Sequence, residues 1–114
     1  MVPKQILILE DDEHTAEGYA EGLRLAGHSV VTCTRFEEAR EHLARFTPDI
    51  LLTDVRVGEF NGLYLALLFR KASPTGRVIV ISGYDDPVIR SESARMEAEF
   101  LLKPITVSEL AKHL

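Results

Sequence analysis

The chain has 114 residues, 46% of them hydrophobic and 27% charged, with a formal net charge of −5. That length supports one domain over residues 1–114 with a single sizeable core, and the composition is that of an ordinary soluble globular protein. The acidic balance argues against direct nucleic-acid binding by this chain, the lone Cys33 excludes an intrachain disulfide framework, and no apolar run reaches membrane-spanning length.

No signal-peptide pattern stands at the N-terminus, so a cytoplasmic location with no membrane association is expected. The histidines (His14, His28, His42 and His113) are scattered, with no zinc-type spacing.

In chain order, Ile6 to Leu9 is an aliphatic run that reads as a strand buried on both faces. It ends in Glu10, Asp11 and Asp12. Adjacent acids repel, which makes it costly to keep all of them ionised, and a hard cation with oxygen ligands removes that cost. A helix N-terminus is the other home for Asp12 and Glu13, but it accounts poorly for Glu10.

Glu13 to Ala26 carries Ala16, Tyr19, Ala20 and Leu23 at helical spacing, with Gly27 placed to cap its end. Ser29 to Cys33 is a short β-branched strand, and Phe36 to Phe46 a charged amphipathic helix stopped by Thr47-Pro48. Asp49 to Asp54 is an apolar strand ending in an acid. A loop containing Gly58 and Gly62 leads to a helix over Leu63 to Ala72, and Ser73 to Gly76 is a turn by composition. Arg77 to Ser82 is the fourth strand. A polar helix over Val88 to Met96 follows, then a fifth strand over Glu99 to Leu102, ended by Lys103-Pro104. Thr106 is placed to cap a last helix that runs to Leu114.

Strands alternating with helices predict an α/β fold with a doubly wound, flavodoxin-like parallel sheet of five strands in the order 2-1-3-4-5. In such a sheet the strand C-termini share one edge, and ligands bind there. Glu10-Asp11-Asp12, Asp54, Ser82 and Lys103 all stand at those ends, so they converge on one crevice. Together they suit phosphoryl transfer to a carboxylate. Asp54 is the candidate nucleophile, and Mg²⁺ held by Asp11 and Glu10 would neutralise developing charge. Ser82 and Lys103 are positioned to hold further phosphoryl oxygens. Since Mg²⁺ retains several waters, Asp11 and Asp54 are expected to ligate directly and Glu10 through water.

These residues resemble the receiver domain of bacterial two-component response regulators over essentially the whole chain. The resemblance is carried by Glu10-Asp11, Asp54 after Ile50-Leu51-Leu52-Thr53, Asn61-Gly62, Ser82-Gly83, Phe100 and Lys103-Pro104. It implies phosphorylation of Asp54 by a partner histidine kinase or phosphotransfer protein. It implies a metal site completed by the backbone carbonyl of Arg56, and a switch in which Ser82 and Phe100 move. It also implies that the chain assists its own phosphoryl transfer and aspartyl-phosphate hydrolysis while acting chiefly as a signalling switch. Gly58 stands where a proline is common, so the loop after Asp54 is expected to be mobile. Tyr84 is expected near the mouth of the site, with the Arg56 guanidinium in reach of Glu10 or of phosphate.

No output domain is expected within these residues, which fits a stand-alone receiver or a piece of a longer regulator or hybrid kinase. Two other classes share parts of the pattern. One is a phosphatase of the haloacid dehalogenase type; there a second acid follows the nucleophile by two residues, where Arg56 stands here. The other is a degenerate receiver that only binds partners. A local anomaly remains in the third helix, where Leu63 to Phe69 is apolar at every position. By the family pattern Leu65, Ala66 and Phe69 face the sheet. That leaves Tyr64, Leu67 and Leu68 outside, as a contact patch for a homodimer or a missing domain.

Overall fold

The computed structural model describes residues 2–114. Its central sheet is parallel and contains β1 (Gln5–Leu9), β2 (Ser29–Cys33), β3 (Ile50–Asp54), β6 (Arg77–Ser82) and β7 (Glu99–Leu102), in the order β2-β1-β3-β6-β7. Two short strands, β4 (Arg56–Val57) and β5 (Phe60–Asn61), form a separate antiparallel ribbon. With the ribbon set aside, the order is the predicted 2-1-3-4-5. The helices are α1 (Glu13–Leu25), α2 (Phe36–Arg45), α3 (Gly62–Ala72), α4 (Pro87–Arg95) and α5 (Val107–Ala111).

The strands are apolar throughout because each face is covered, and their alternation divides the core in two. Ile6, Ile8, Ile50, Leu52, Ile79 and Ile81 pack with Tyr19, Ala20 and Leu23 of α1 and Leu110 of α5. The intervening Leu7, Leu9, Leu51, Val78 and Val80 pack on the other face with Phe36 of α2 and Leu65, Ala66 and Phe69 of α3. Leu65, Ala66 and Phe69 are fully buried, as the resemblance to the receiver family implies.

Helix limits follow their caps. The Asp12 carboxylate accepts from Thr15 N, the Asn61 side chain from Leu63 N, Asp86 from Val88 N, and the Thr106 hydroxyl from Glu109 N. Gly27 follows α1 with a φ of 101°. Helix α5 is shorter than predicted, ending at Ala111, with turn hydrogen bonds carrying the chain to Leu114.

The segment after Asp54, expected as a loop, pairs with itself as a short ribbon. Arg56 pairs with Asn61 and Val57 with Phe60, and Gly58 turns the chain at a φ of 60°. Val57 is buried, and the Phe60 ring stacks on Phe36 at 4.8 Å between centroids. Those two apolar contacts seat the ribbon against the core and α2.

Candidate functional site

Register places the functional side chains. Leu9 pairs with Thr53, and Ser82 pairs with Leu102. Glu10, Asp54, Ser82 and Lys103 therefore emerge together at the C-terminal edge of the sheet. Backbone geometry at Asp54 depends on Gly62: a Cβ there would lie 1.9 Å from the Asp54 carbonyl oxygen. Gly62 N also donates to the Val55 carbonyl at 2.7 Å, tying the start of α3 to the end of β3.

Lys103 joins the acids. Its Nζ donates to Glu10 Oε1 at 2.8 Å and to Asp54 Oδ2 at 2.9 Å. Glu10 is only 4% exposed, and its Oε2 is buried with no hydrogen-bond partner among the described residues. Burial is the largest influence on this carboxyl. Together with the adjacent Asp54, it outweighs the hydrogen bond from Lys103 and raises the Glu10 pKa to about 7. For Lys103 the balance is reversed. Burial disfavours the ammonium, but hydrogen bonds to Glu10 and Asp54 outweigh it, and the pKa is raised above the ordinary lysine range.

Glu10, Asp11 and Asp54 each offer an oxygen within 4.8 Å of the others. Two carboxylates side by side, a third at the rim and an unpartnered buried oxygen form the donor set of a hard divalent cation. Mg²⁺ fits it. Asp12 is not part of this set, since its carboxylate turns away to cap α1, where Thr15 holds its pKa below the usual range.

Beside the acids lies a cleft of about 200 Å³, lined among others by Asp54, Arg56, Ser82, Tyr84, Asp86 and Lys103. The Ser82 hydroxyl is engaged with backbone, accepting from Tyr84 N and donating to the Tyr84 carbonyl, both at 3.0 Å. Tyr84 stands at the mouth, as expected. Of the two partners expected for Arg56, Glu10 is not one: the guanidinium lies over the Tyr84 ring, 5.7 Å from the centroid, while Arg56 still lines the cleft beside Asp54. Lys103 already occupies Glu10, and the ribbon sets Arg56 on the Tyr84 side of the cleft.

Phe100 is half-buried on β7, and the Arg90 guanidinium of α4 lies 4.5 Å above its ring. Asp85 pairs with Arg90 from the loop before α4 and holds it there. The sequence reading did not anticipate this arrangement. It also missed Asp86, although an Asp followed by Pro87 is a helix-start pattern that marks the position.

Among the described residues no helix is long and apolar enough to cross a membrane. A profile of the response regulator receiver domain family matches residues 6–114. The chain is 31% identical over 106 residues to the Regulator of RpoS of Escherichia coli, a match covering 92% of this chain and 32% of that protein. It is 28% identical to the response regulator receiver protein CpdR of Brucella abortus, covering 97% of this chain and 93% of the relative. A response regulator structure from Burkholderia pseudomallei, described with a phosphorylated aspartic acid, a calcium ion and citrate, superimposes with a TM-score of 0.88. That match has 25% identity and covers 95% of this chain and 64% of the other. The chain thus spans about a third of the length of some relatives and nearly all of others.

Proposed function

Because the chain belongs to the response regulator receiver domain family, we propose that Asp54 accepts a phosphoryl group from a partner histidine kinase or phosphotransfer protein. The observation that carries this reading is Lys103 bridging Asp54 to a buried glutamate whose second oxygen has no partner. This is a pre-built electrostatic frame around one carboxylate at the edge of a cleft.

An Asp54 carboxylate oxygen attacks phosphorus as the bond to the donor's imidazole nitrogen breaks. The electron pair leaves with the imidazole, and an acyl phosphate remains on Asp54. Mg²⁺, held by Glu10, Asp11 and Asp54 with the Arg56 backbone carbonyl, would neutralise charge on the phosphoryl oxygens. Lys103 stays fixed by Glu10 and turns a second hydrogen bond toward a phosphoryl oxygen.

The Ser82 hydroxyl exchanges its contact with the Tyr84 carbonyl for another phosphoryl oxygen. Its withdrawal opens space for Phe100 to turn inward, away from Arg90. The face built from α4, β7 and α5 then takes a second shape, a population shift driven by the new charge-assisted contacts. A cytoplasmic setting suits the absence of a spanning helix among the described residues.

Incubation with Mg²⁺ and a small phosphodonor, read by intact mass, tests the reading. One stable phosphoryl increment is the expected result. No increment would leave a partner-binding module that is never phosphorylated. Steady phosphate release with no adduct would mean phosphatase turnover.

A further inference from the structure

Asp85 and Arg90 have no part in the phosphoryl-transfer chemistry, yet both stand beside the switch. Asp85 lies in the loop between β6 and α4. Arg90 belongs to the first turn of α4, where its N–H donates to the Asp86 carbonyl at 3.0 Å. Its Nε pairs with Asp85 Oδ1, and its guanidinium lies over the Phe100 ring, 4.5 Å from the centroid. This is an unfavourable place for a cation, because the start of a helix is the positive end of its dipole. The Asp85 carboxylate offsets that charge. The same hydrogen bond holds the Asp85 carboxyl below its usual range, so the pair stays ionised at neutral pH.

Register sets Phe100 beside Ser82. Val80 pairs with Phe100 and Ser82 with Leu102, so Ser82 and Phe100 project from one face of the sheet. On its inner side the ring packs against the core that contains Val80; on its outer side it meets Arg90. We propose that Asp85 and Arg90 form a latch on the switch, in which Asp85 fixes Arg90 over the Phe100 ring and that contact holds the ring outward in the unphosphorylated chain. The latch rests on the switch described above and adds the residues that set its resting balance. Both are positioning residues, Arg90 acting through the ring and Asp85 through Arg90.

A cation over a partly exposed ring is a weak contact, so the latch biases the balance and does not lock it. Its loss should raise the ratio of inward to outward ring about two- to fivefold. One loop carries both ends of the device. Ser82 is bonded to the Tyr84 backbone, and Asp85 follows Tyr84 in the chain. When Ser82 exchanges the Tyr84 carbonyl for phosphate, the support of Asp85 loosens, and the hold on Phe100 loosens with it.

Saturation-transfer NMR on a ¹³C-labelled Phe100 ring measures a minor ring position in the unphosphorylated chain. Arg90→Gln should raise the population ratio about two- to fivefold. Asp85→Asn should act in the same direction and by no more. The double variant should match Arg90→Gln alone, whereas two independent structural effects would add. Arg90→Lys should recover part of the wild-type ratio by restoring a cation. Arg95→Gln, at an exposed position in the last turn of the same helix, should change nothing. Beryllofluoride with Mg²⁺ should bind Arg90→Gln more tightly by the same factor, since more of the chain is already in the competent form. The ring measurement needs no phosphate, so the two readings fail separately. A chain that does not bind beryllofluoride but keeps the variant-dependent ratio retains the latch and loses the phosphoacceptor role. A ratio unchanged in Arg90→Gln, an Asp85→Asn effect that adds to it, or a single ring position in every variant overturns the latch.

Discussion

Two ion-pair clusters sit at opposite edges of the same sheet, and the fold treats them differently. At the N-terminal edge, Arg77 pairs with Glu99, which also meets His113 Nδ1 at 2.9 Å. At the C-terminal edge, Lys103 pairs with Glu10 and Asp54. The partner types are similar, but the Glu99 side chain is 39% exposed and that of Glu10 only 5%. Arg77 also donates to the carbonyls of His113 and Leu114, so the exposed cluster mainly fastens the end of α5 to the sheet. In the buried cluster desolvation is severe enough to lift Glu10 to about 7 and leave one of its oxygens unpartnered. Solvated pairs of this kind contribute little, whereas buried ones carry a real desolvation cost. That the fold accepts this cost at one edge and avoids it at the other supports the proposal that the buried edge is the working one.

The comparison is broken most severely by Asp54→Asn. The change preserves size, the cleft and the contact with Lys103 but removes the nucleophilic charge, so phosphodonor labelling should fall to background. Labelling at the wild-type level would remove Asp54 from its role. Asp11→Ala should come next, weakening Mg²⁺ binding and phosphorylation together by at least about tenfold, as lost metal ligands do. Titration calorimetry with Mg²⁺, beside labelling in excess EDTA, checks that the two losses coincide.

The origin of the site in the sequence explains why some of it was legible and some was not. The strands over Ser29–Cys33, Arg77–Ser82 and Glu99–Leu102 have the limits that their apolar runs predict. Because parallel strands end on one edge, the convergence of Glu10, Asp54, Ser82 and Lys103 followed from topology alone. The ribbon was not legible. Two-residue strands have no measurable period, and their order comes from Phe60 stacking on Phe36, a contact between residues 24 positions apart. Asp12 was open between capping and metal binding on its residue type alone, since both favour an aspartate after a strand, and its carboxylate caps α1. The contact of Arg56 with the Tyr84 ring depends on the ribbon and had no signal of its own in the sequence.

A smaller effect sharpens the contrast in burial. Glu10 titrates near 7 in the folded chain, against 4.5 for an ordinary glutamate. Between those values the folded state holds a proton that the unfolded chain has lost, so unfolding free energy falls as pH rises through the window. In EDTA, the part of the stability that belongs to Glu10 should be complete below about pH 4.5. It should be lost progressively to about pH 7, by up to about 3 kcal/mol. Urea unfolding of wild type and Glu10→Gln across this range isolates the term, since the variant lacks it. Equal slopes for the two proteins would contradict the assignment.

The smallest effect is expected at the opposite edge. Glu99→Gln should change stability by no more than about 1 kcal/mol, the scale of an exposed pair, and should leave phosphorylation unchanged. A large loss of labelling there would erase the distinction between the two clusters.

The most direct measurement of the central claim is the location of the phosphoryl group. Wild-type chain treated with phosphodonor and Mg²⁺, reduced with borohydride to trap the acyl phosphate and mapped by peptide mass, should carry its modification at Asp54 alone and only when Mg²⁺ is present. Modification at Glu10, Asp11 or another acid, or at Asp54 equally in EDTA, would contradict the account.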